Sequence, residues 1–288
     1  MMNNFSYTRP KTLADAAAQL AKEPGKSAVL AGGTDLLGEM KDELSMPEVL
    51  VPIRHLVDLQ GIKATPTGLR IGAATLLADV VESPMVQERT PLLAMAAGKI
   101  GTPQIRNMGT IGGNLCQRPR CWYFRQEEFV CFKKGGNRCF SVDGENQYHS
   151  IFGNEGPSKI VHSSSLAVPC VAYGARFVIA GPNGEREVPA AEYFTLPTMQ
   201  NVKAENILAD DELLTAVVLP APGHIRSGHY EVRFKESRDW PMAFATVVLT
   251  MKGSTVGAAR VVLGAVAPTP WRAEAAEQAL IGKPLTEA

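Results

Sequence analysis

The chain lacks any apolar run approaching the ~20 residues that a membrane-spanning helix needs, which argues against helical insertion in a bilayer. It also lacks an excess of either charge. In 288 residues, 29 Lys and Arg stand against 29 Asp and Glu. No whole-chain footprint for nucleic acid or an anionic membrane is present. The N-terminus, Met-Met-Asn-Asn-Phe-Ser-Tyr, has no charged stretch leading into an apolar one, so no secretory signal is read there. No internal repeat is visible. Cysteine is scarce: there are five, and four of them lie between 116 and 139. A secreted disulfide scaffold would spread its cysteines over a smaller chain. Clustering in a chain of this size points to metal or redox use in a reducing compartment, so the expected location is cytoplasmic.

What is present suffices for two domains with proper cores. Leu13, Ala16, Ala17 and Leu20 recur at helical spacing and predict a helix over 12–22. A short buried strand over 27–31 ends at Gly32-Gly33, a helix resumes over 35–43, and 48–53 reads as a strand. This is a β-α-β unit with its glycines at the strand-to-helix turn. Further strands are expected over 68–73, 159–162, 175–180 and 212–219, with helices over 76–81 and 91–98. Gly181-Pro182-Asn183-Gly184 supplies a hairpin turn. Residues 118–156 have no sustained periodicity, and a loop that long is usually functional or disordered. Beyond Pro220-Ala221-Pro222-Gly223, residues 229–235, 244–251 and 258–266 read as an antiparallel sheet, and 272–280 as a helix.

Two segments carry chemistry. In Ala31-Gly32-Gly33-Thr34-Asp35-Leu36, glycines between strand and helix let backbone N–H groups face an anion without Cβ obstruction. Thr34 can donate a hydroxyl hydrogen bond to a phosphate. Equally, the segment reads as a tight turn capped by Thr34 or Asp35. The glycines do not follow the G-x-G-x-x-G spacing, so a nicotinamide site is not indicated. The second segment, Thr110-Ile111-Gly112-Gly113-Asn114, repeats the pattern about 80 residues later, as a dinucleotide held between two subdomains would require. Its alternative reading is a glycine-rich turn.

Together these segments resemble the two FAD-pyrophosphate motifs of the flavin subunit of molybdenum hydroxylases. That family includes the medium chain of carbon monoxide dehydrogenase and the central domain of xanthine dehydrogenase. The likeness runs through Leu69–Thr75, Gln104–Asn107, Glu212-Leu213-Leu214, Phe234-Lys235 and Gly264–Arg272. It implies an α+β chain with a two-subdomain FAD-binding fold of the PCMH (vanillyl-alcohol-oxidase-like) type and a smaller α+β C-terminal domain. The expected boundaries are 1–60 for the first subdomain and 61–190 for the second, with a Cys-rich insertion at about 116–158. Residues 191–288 form the last domain, shortened or truncated relative to the family. The resemblance places Ala31, Gly32, Gly33, Thr34, Asp35, Leu36, Thr110, Gly113 and Asn114 on the FAD. It sets Leu214 near the isoalloxazine and Lys235 near the flavin or its acceptor side. Where the family has an acid in Ser-Asp-Leu-Ala-Pro, this chain has Ser165. A hydroxyl lacks the charge-assisted strength of a carboxylate, so weaker but surviving FAD binding is expected.

The cysteine loop is similar to the insertion of 4-hydroxybenzoyl-CoA reductase and of periplasmic aldehyde oxidoreductase, which holds a [4Fe–4S] cluster through four cysteines. Cys121, Cys131 and Cys139 match, and Ser158 stands where the fourth is expected. Their spacing is not that of a zinc ribbon. Three outcomes stay open: a cluster with Ser158 or another non-Cys ligand, a labile or three-iron cluster, or none. Arg120, Arg125, Lys133, Lys134 and Arg138 would offset cluster charge, or form a solvated or partner-facing loop. Cys116 could act as a ligand only if the loop folds back, and Cys170 reads as a small core residue.

The function implied is electron transfer in a heteromeric enzyme that oxidises an aldehyde, xanthine or another N-heterocycle. Electrons would pass from a small [2Fe–2S] subunit through this FAD to an external acceptor, beside a large molybdenum-cofactor subunit that could carry the chain to the periplasm. No catalytic base is assigned to this chain. The alternatives are a stand-alone flavin oxidase of the same fold and a non-catalytic scaffold with a degenerate cofactor site.

Overall fold

The computed structural model describes residues 3–221, 223–235 and 238–285. Three sheets organise the chain. The first contains β1 (Ser6–Tyr7), β2 (Ser27–Leu30) and β3 (Val49–Pro52), in the order β1-β3-β2 with both pairs parallel. Parallel neighbours need crossovers, and helices Leu13–Lys22 and Leu36–Lys41 supply them. Thr12 caps the first helix by accepting from the Asp15 N–H at 3.1 Å. That helix turns Ala16, Ala17 and Leu20 into a small core with Val51, Ile53 and Leu59.

The second sheet contains β4 (Ile62–Thr65), β5 (Gly68–Gly72), β6 (Arg176–Gly181), β7 (Gly184–Pro189) and β8 (Leu213–Pro220). Its order is β4-β5-β8-β6-β7, antiparallel throughout. Helices Leu77–Glu82, Pro91–Gly98 and Ala167–Tyr173 share the largest core with it, through Leu77, Leu93, Ala97, Val171, Phe177 and Val217. Cys170 is fully buried in this core, and burial pushes its thiol up, so it is a packing residue. Because β8 lies between β5 and β6, the second sheet recruits chain up to Pro220. The expected boundary at 190 is therefore displaced to the segment after β8.

The third sheet contains β9 (Ile225–Val232), β10 (Ala243–Lys252), β11 (Thr255–Gly264) and β12 (Trp271–Arg272), ordered β12-β11-β10-β9 and antiparallel. The helix expected from 272 starts at Glu274, because Trp271 and Arg272 pair with β11. Residues 159–162 form no strand. They are pinned by single bonds, from Ser150 N–H to the Lys159 carbonyl and from His162 N–H to the Ala267 carbonyl.

The aperiodic stretch is packed. It contains only the helix Trp122–Arg125 and a 3-10 turn at Phe132–Lys134. A set of rings holds it, with Phe129 lying 5.0 Å from both Tyr123 and Phe140. Among the described residues no helix is long and apolar enough to cross a membrane.

Candidate functional site

The two glycine turns rest on each other. A Cβ at Gly32 would fall 2.0 Å from the Met108 carbonyl oxygen and 3.0 Å from the Gly109 Cα. Only glycine permits that approach. Gly33 has φ +71°, which a glycine adopts freely and which bends the chain from β2 toward the helix at Leu36. The N–H groups of Gly33, Thr34 and Asp35 find no acceptor among the described residues. Consecutive free N–H groups of this kind form an anion-binding concavity.

The second turn differs from the expected second cradle. Thr110 caps the short helix Ile111–Leu115, its hydroxyl oxygen accepting from Gly113 N–H at 3.1 Å. Gly112 N–H donates to the Ala73 carbonyl and Asn114 N–H to the Thr110 carbonyl. These amides are spent inside the fold, so this turn offers side chains. Asn114 Oδ1 accepts from Ser164 Oγ at 2.7 Å, which leaves its Nδ2 to donate. Local patterning could not separate the two turns, since both read as Gly-Gly beside Thr.

Two cavities flank the paired turns. One, of about 260 Å³, is lined by Ala31, Gly32, Gly33, Leu36 and Leu214. The other, of about 330 Å³, is lined by Asn114, Ser165, Lys99 and Trp240. Thr34, Asp35, Thr110 and Gly113 line both. Ser165 and Leu214 are buried. Lys235 is exposed and lines neither.

Asp35 does more than the motif suggested. Its carboxylate accepts from Arg118 N–H at 2.9 Å and pairs with Arg120 at 2.5 Å and Arg125 at 3.1 Å. Burial alone would raise this carboxyl, but Arg120 and Arg125 hold it below its ordinary value. Arg125 also reaches Glu39 at 3.3 Å. The cysteine loop is thus bolted to the first turn. Of the basic residues expected to face a cluster or solvent, Arg120 and Arg125 are engaged here. Lys133 pairs with buried Glu205 at 2.6 Å, Lys134 donates to the Gln126 carbonyl, and Arg138 lies over the Phe140 ring. Glu39 and Glu205, neither singled out from sequence, complete these pairs.

Burial first, and then the Asp35 charge, raises the Glu39 carboxyl to about 7. A carboxyl raised on folding favours the native state most below its unfolded value, and the contribution is lost as pH rises through the folded value. Glu39 should therefore cost roughly 2 kcal/mol at pH 8 relative to pH 5. Melting temperatures of wild type and Glu39→Gln at both pH values check this. The variant should lose less stability than wild type between them, and parallel losses would count against it.

Cys121, Cys131, Cys139 and Ser158 line one small cavity of about 10 Å³, walled by Tyr123, Phe124, Phe132 and Phe140. Cys131 and Ser158 are buried. Burial raises the Cys121 thiol to about 11, and nearby Cys131 and Cys139 add to the rise. Cys116 is elsewhere: it lines the first flanking cavity and faces the Tyr193 hydroxyl at 3.2 Å. All five cysteines are free. Among the described residues no three His, Cys, Asp or Glu side chains close around a single ion. The donor chemistry suits iron and sulfide, but the closed cavity has room for about one water, so a cluster would require the loop to open.

The family described as the FAD binding domain in molybdopterin dehydrogenase matches residues 3–222, and the CO dehydrogenase flavoprotein C-terminal domain matches 229–288. The chain is 33% identical over 283 residues to the carbon monoxide dehydrogenase medium chain of Hydrogenophaga pseudoflava, covering 98% of this chain and 82% of that one. It is 34% identical over 282 residues to the aldehyde oxidoreductase FAD-binding subunit PaoB of Escherichia coli (strain K12), covering 97% and 86%. The solved structure of the Hydrogenophaga pseudoflava carbon monoxide dehydrogenase that lacks the Mo-pyranopterin moiety superimposes with a TM-score of 0.77 at 33% identity, over 100% of this chain and 83% of that one. The fold, the paired turns and these matches agree: the chain belongs to the FAD-binding medium subunits of the molybdenum hydroxylase family.

Proposed function

We propose that this chain carries electrons in a heteromeric molybdenum hydroxylase, from a small [2Fe–2S] subunit through FAD to an external acceptor. A large molybdenum-cofactor subunit would oxidise the aldehyde or N-heterocycle. Support comes from the pair of glycine turns, packed backbone to backbone, with three N–H groups on one that find no acceptor among the described residues and a cavity on either side. The FAD diphosphate would take the N–H groups of Gly33, Thr34 and Asp35 and the hydroxyls of Thr34 and Thr110. Asn114 Nδ2 and the Ser165 hydroxyl would donate from the second cavity, and Leu214 would pack against the cofactor from the first. FAD itself supplies the redox chemistry, and the chain supplies orientation and electrostatics. The Asp35 carboxylate is neutralised by arginines, so it does not repel a phosphate. Lys235 is exposed and is left without a flavin role.

Once opened, the cysteine loop would hold an iron–sulfur cluster through Cys121, Cys131 and Cys139, with Ser158 at the fourth corner. What supports this is the convergence of three thiols and a buried hydroxyl on one cavity. The relatives are named as chains and subunits of larger enzymes, which favours a subunit over a stand-alone oxidase or a scaffold. Affinity purification of the tagged chain from its native cell tests the assembly. The expected result is a complex containing molybdenum and flavin. Elution as a lone flavoprotein reduced by a simple substrate would favour the oxidase instead.

A further inference from the structure

His229, Glu231 and Arg233 stand at every second position along β9 and just beyond it, so they share one face. All three side chains are buried: 0% exposed for His229, 1% for Glu231 and 8% for Arg233. They bond in series. Thr246 Oγ1 on β10 lies 2.8 Å from His229 Nδ1, and His229 Nε2 lies 2.8 Å from Glu231 Oε1. A carboxylate only accepts, so the proton of the neutral ring sits on Nε2, and Nδ1 accepts from the Thr246 hydroxyl. The other oxygen, Glu231 Oε2, accepts from Arg233 Nε at 2.7 Å and from Arg233 Nη2. Burial alone would raise the Glu231 carboxyl, but the bonds from His229 and Arg233 hold it below its ordinary value.

Apolar side chains could fill the same face without the desolvation cost of buried charges. What the series secures is the orientation of one guanidinium, whose donors form a rigid fork. That fork also reaches two backbone carbonyls. Arg233 Nη1 donates to the Asp239 carbonyl at 2.9 Å, and Nη2 to the Lys99 carbonyl at 3.2 Å. The two carbonyls come from different parts of the fold. Lys99 follows the helix Pro91–Gly98, which packs in the core of the second sheet, and Asp239 precedes β10 of the third sheet. Lys99, Arg233 and Asp239 all line the larger flanking cavity. Among the described residues, Arg233 makes the only hydrogen bond between the lining segments 99–114 and 233–241.

We infer that Arg233 is a positioning residue for the flavin: it latches the third sheet to the loop at Lys99 and so closes the larger flanking cavity around bound FAD. The latch is a feature of the fold; its effect on cofactor retention rests on the FAD site proposed above. The test is the rate at which FAD leaves the loaded chain on dilution, read from the fluorescence of the released flavin. Arg233→Lys keeps a cation beside Glu231 but has no fork to span both carbonyls. It should release FAD about tenfold faster, as loss of a charge-assisted hydrogen bond predicts, while the melting temperature of the FAD-free chain stays close to wild type. Arg233→Ala should release FAD at least as fast, and added guanidinium, well below denaturing concentrations, should slow the release again. Arg226→Lys, the same exchange at an exposed position of β9, should behave as wild type. Should Arg233→Lys not fold, the isosteric Glu231→Gln serves in its place: it leaves the fork unheld and should also speed release. Unchanged release in either folded variant overturns the assignment. So does release that rises only in step with a falling melting temperature and that guanidinium does not slow. A wild-type chain that takes up no FAD overturns the flavin reading as well, and the flavin absorbance of the starting sample shows which has failed.

Discussion

Gly32→Ala is expected to strip the flavin from this protein while leaving most of the fold in place. The added methyl would sit 2.0 Å from the Met108 carbonyl oxygen, a backbone atom that cannot rotate away. The two turns must therefore separate. Overpacking of this kind costs about 1–3 kcal/mol at least, and the separation also dismantles the N–H concavity and the alignment of Thr34 with Thr110. FAD affinity should fall at least about tenfold, and more where the phosphate contacts act together. Gly38→Ala is the control. It lies in the helix Leu36–Lys41 and its Cβ would meet nothing within 4 Å. That variant should keep its flavin and gain up to about 1 kcal/mol of helix stability. Flavin-to-protein ratios after gel filtration separate the two outcomes. Equal flavin in Gly32→Ala and wild type would show that the turns do not hold the cofactor.

The second large effect is expected in the cysteine loop. Protein purified without oxygen should contain about four iron and four sulfide per chain attributable to the loop. Cys131→Ala should reduce both to background while flavin is retained, because Cys131 lines the small cavity and neither flavin cavity. Ser158→Cys should slow cluster loss in air, since a thiolate replaces a harder oxygen ligand. Less than half an equivalent of cluster in wild type, with no EPR signal on reduction, would mean the loop is held by its rings and ion pairs alone.

The sequence was most legible where function constrains the backbone locally. Within the two Gly-Gly pairs, Gly32 and Gly112 mark close approaches that a side chain would block, Gly33 takes a positive φ, and the spacing of the pairs pointed to one ligand held between two subdomains. The period of Leu13, Ala16, Ala17 and Leu20 gave the first crossover helix. Long-range partners were hidden. Asp35 is 83 residues from Arg118 and 90 from Arg125, and nothing local tells an N-cap aspartate from the anchor of a distant loop. The same holds for β8. Its apolar run reads as a buried strand, but its place between β5 and β6 is set by pairings far away in sequence. The run at 159–162 looked like a strand because it is apolar in part, yet among the described residues it has no strand partner and is fixed by isolated bonds. The convergence of Cys121, Cys131, Cys139 and Ser158 was legible only through likeness to a family, since spacings of ten, eight and nineteen positions dictate no geometry by themselves.

The two paired turns are expected to hold one FAD between them. The most direct measurement is a visible spectrum of the purified chain after incubation with excess FAD and removal of the free cofactor. The expected result is a flavin spectrum at about one equivalent per chain. A spectrum without flavin bands, from folded protein and after FAD was supplied, would show that the turns hold no flavin.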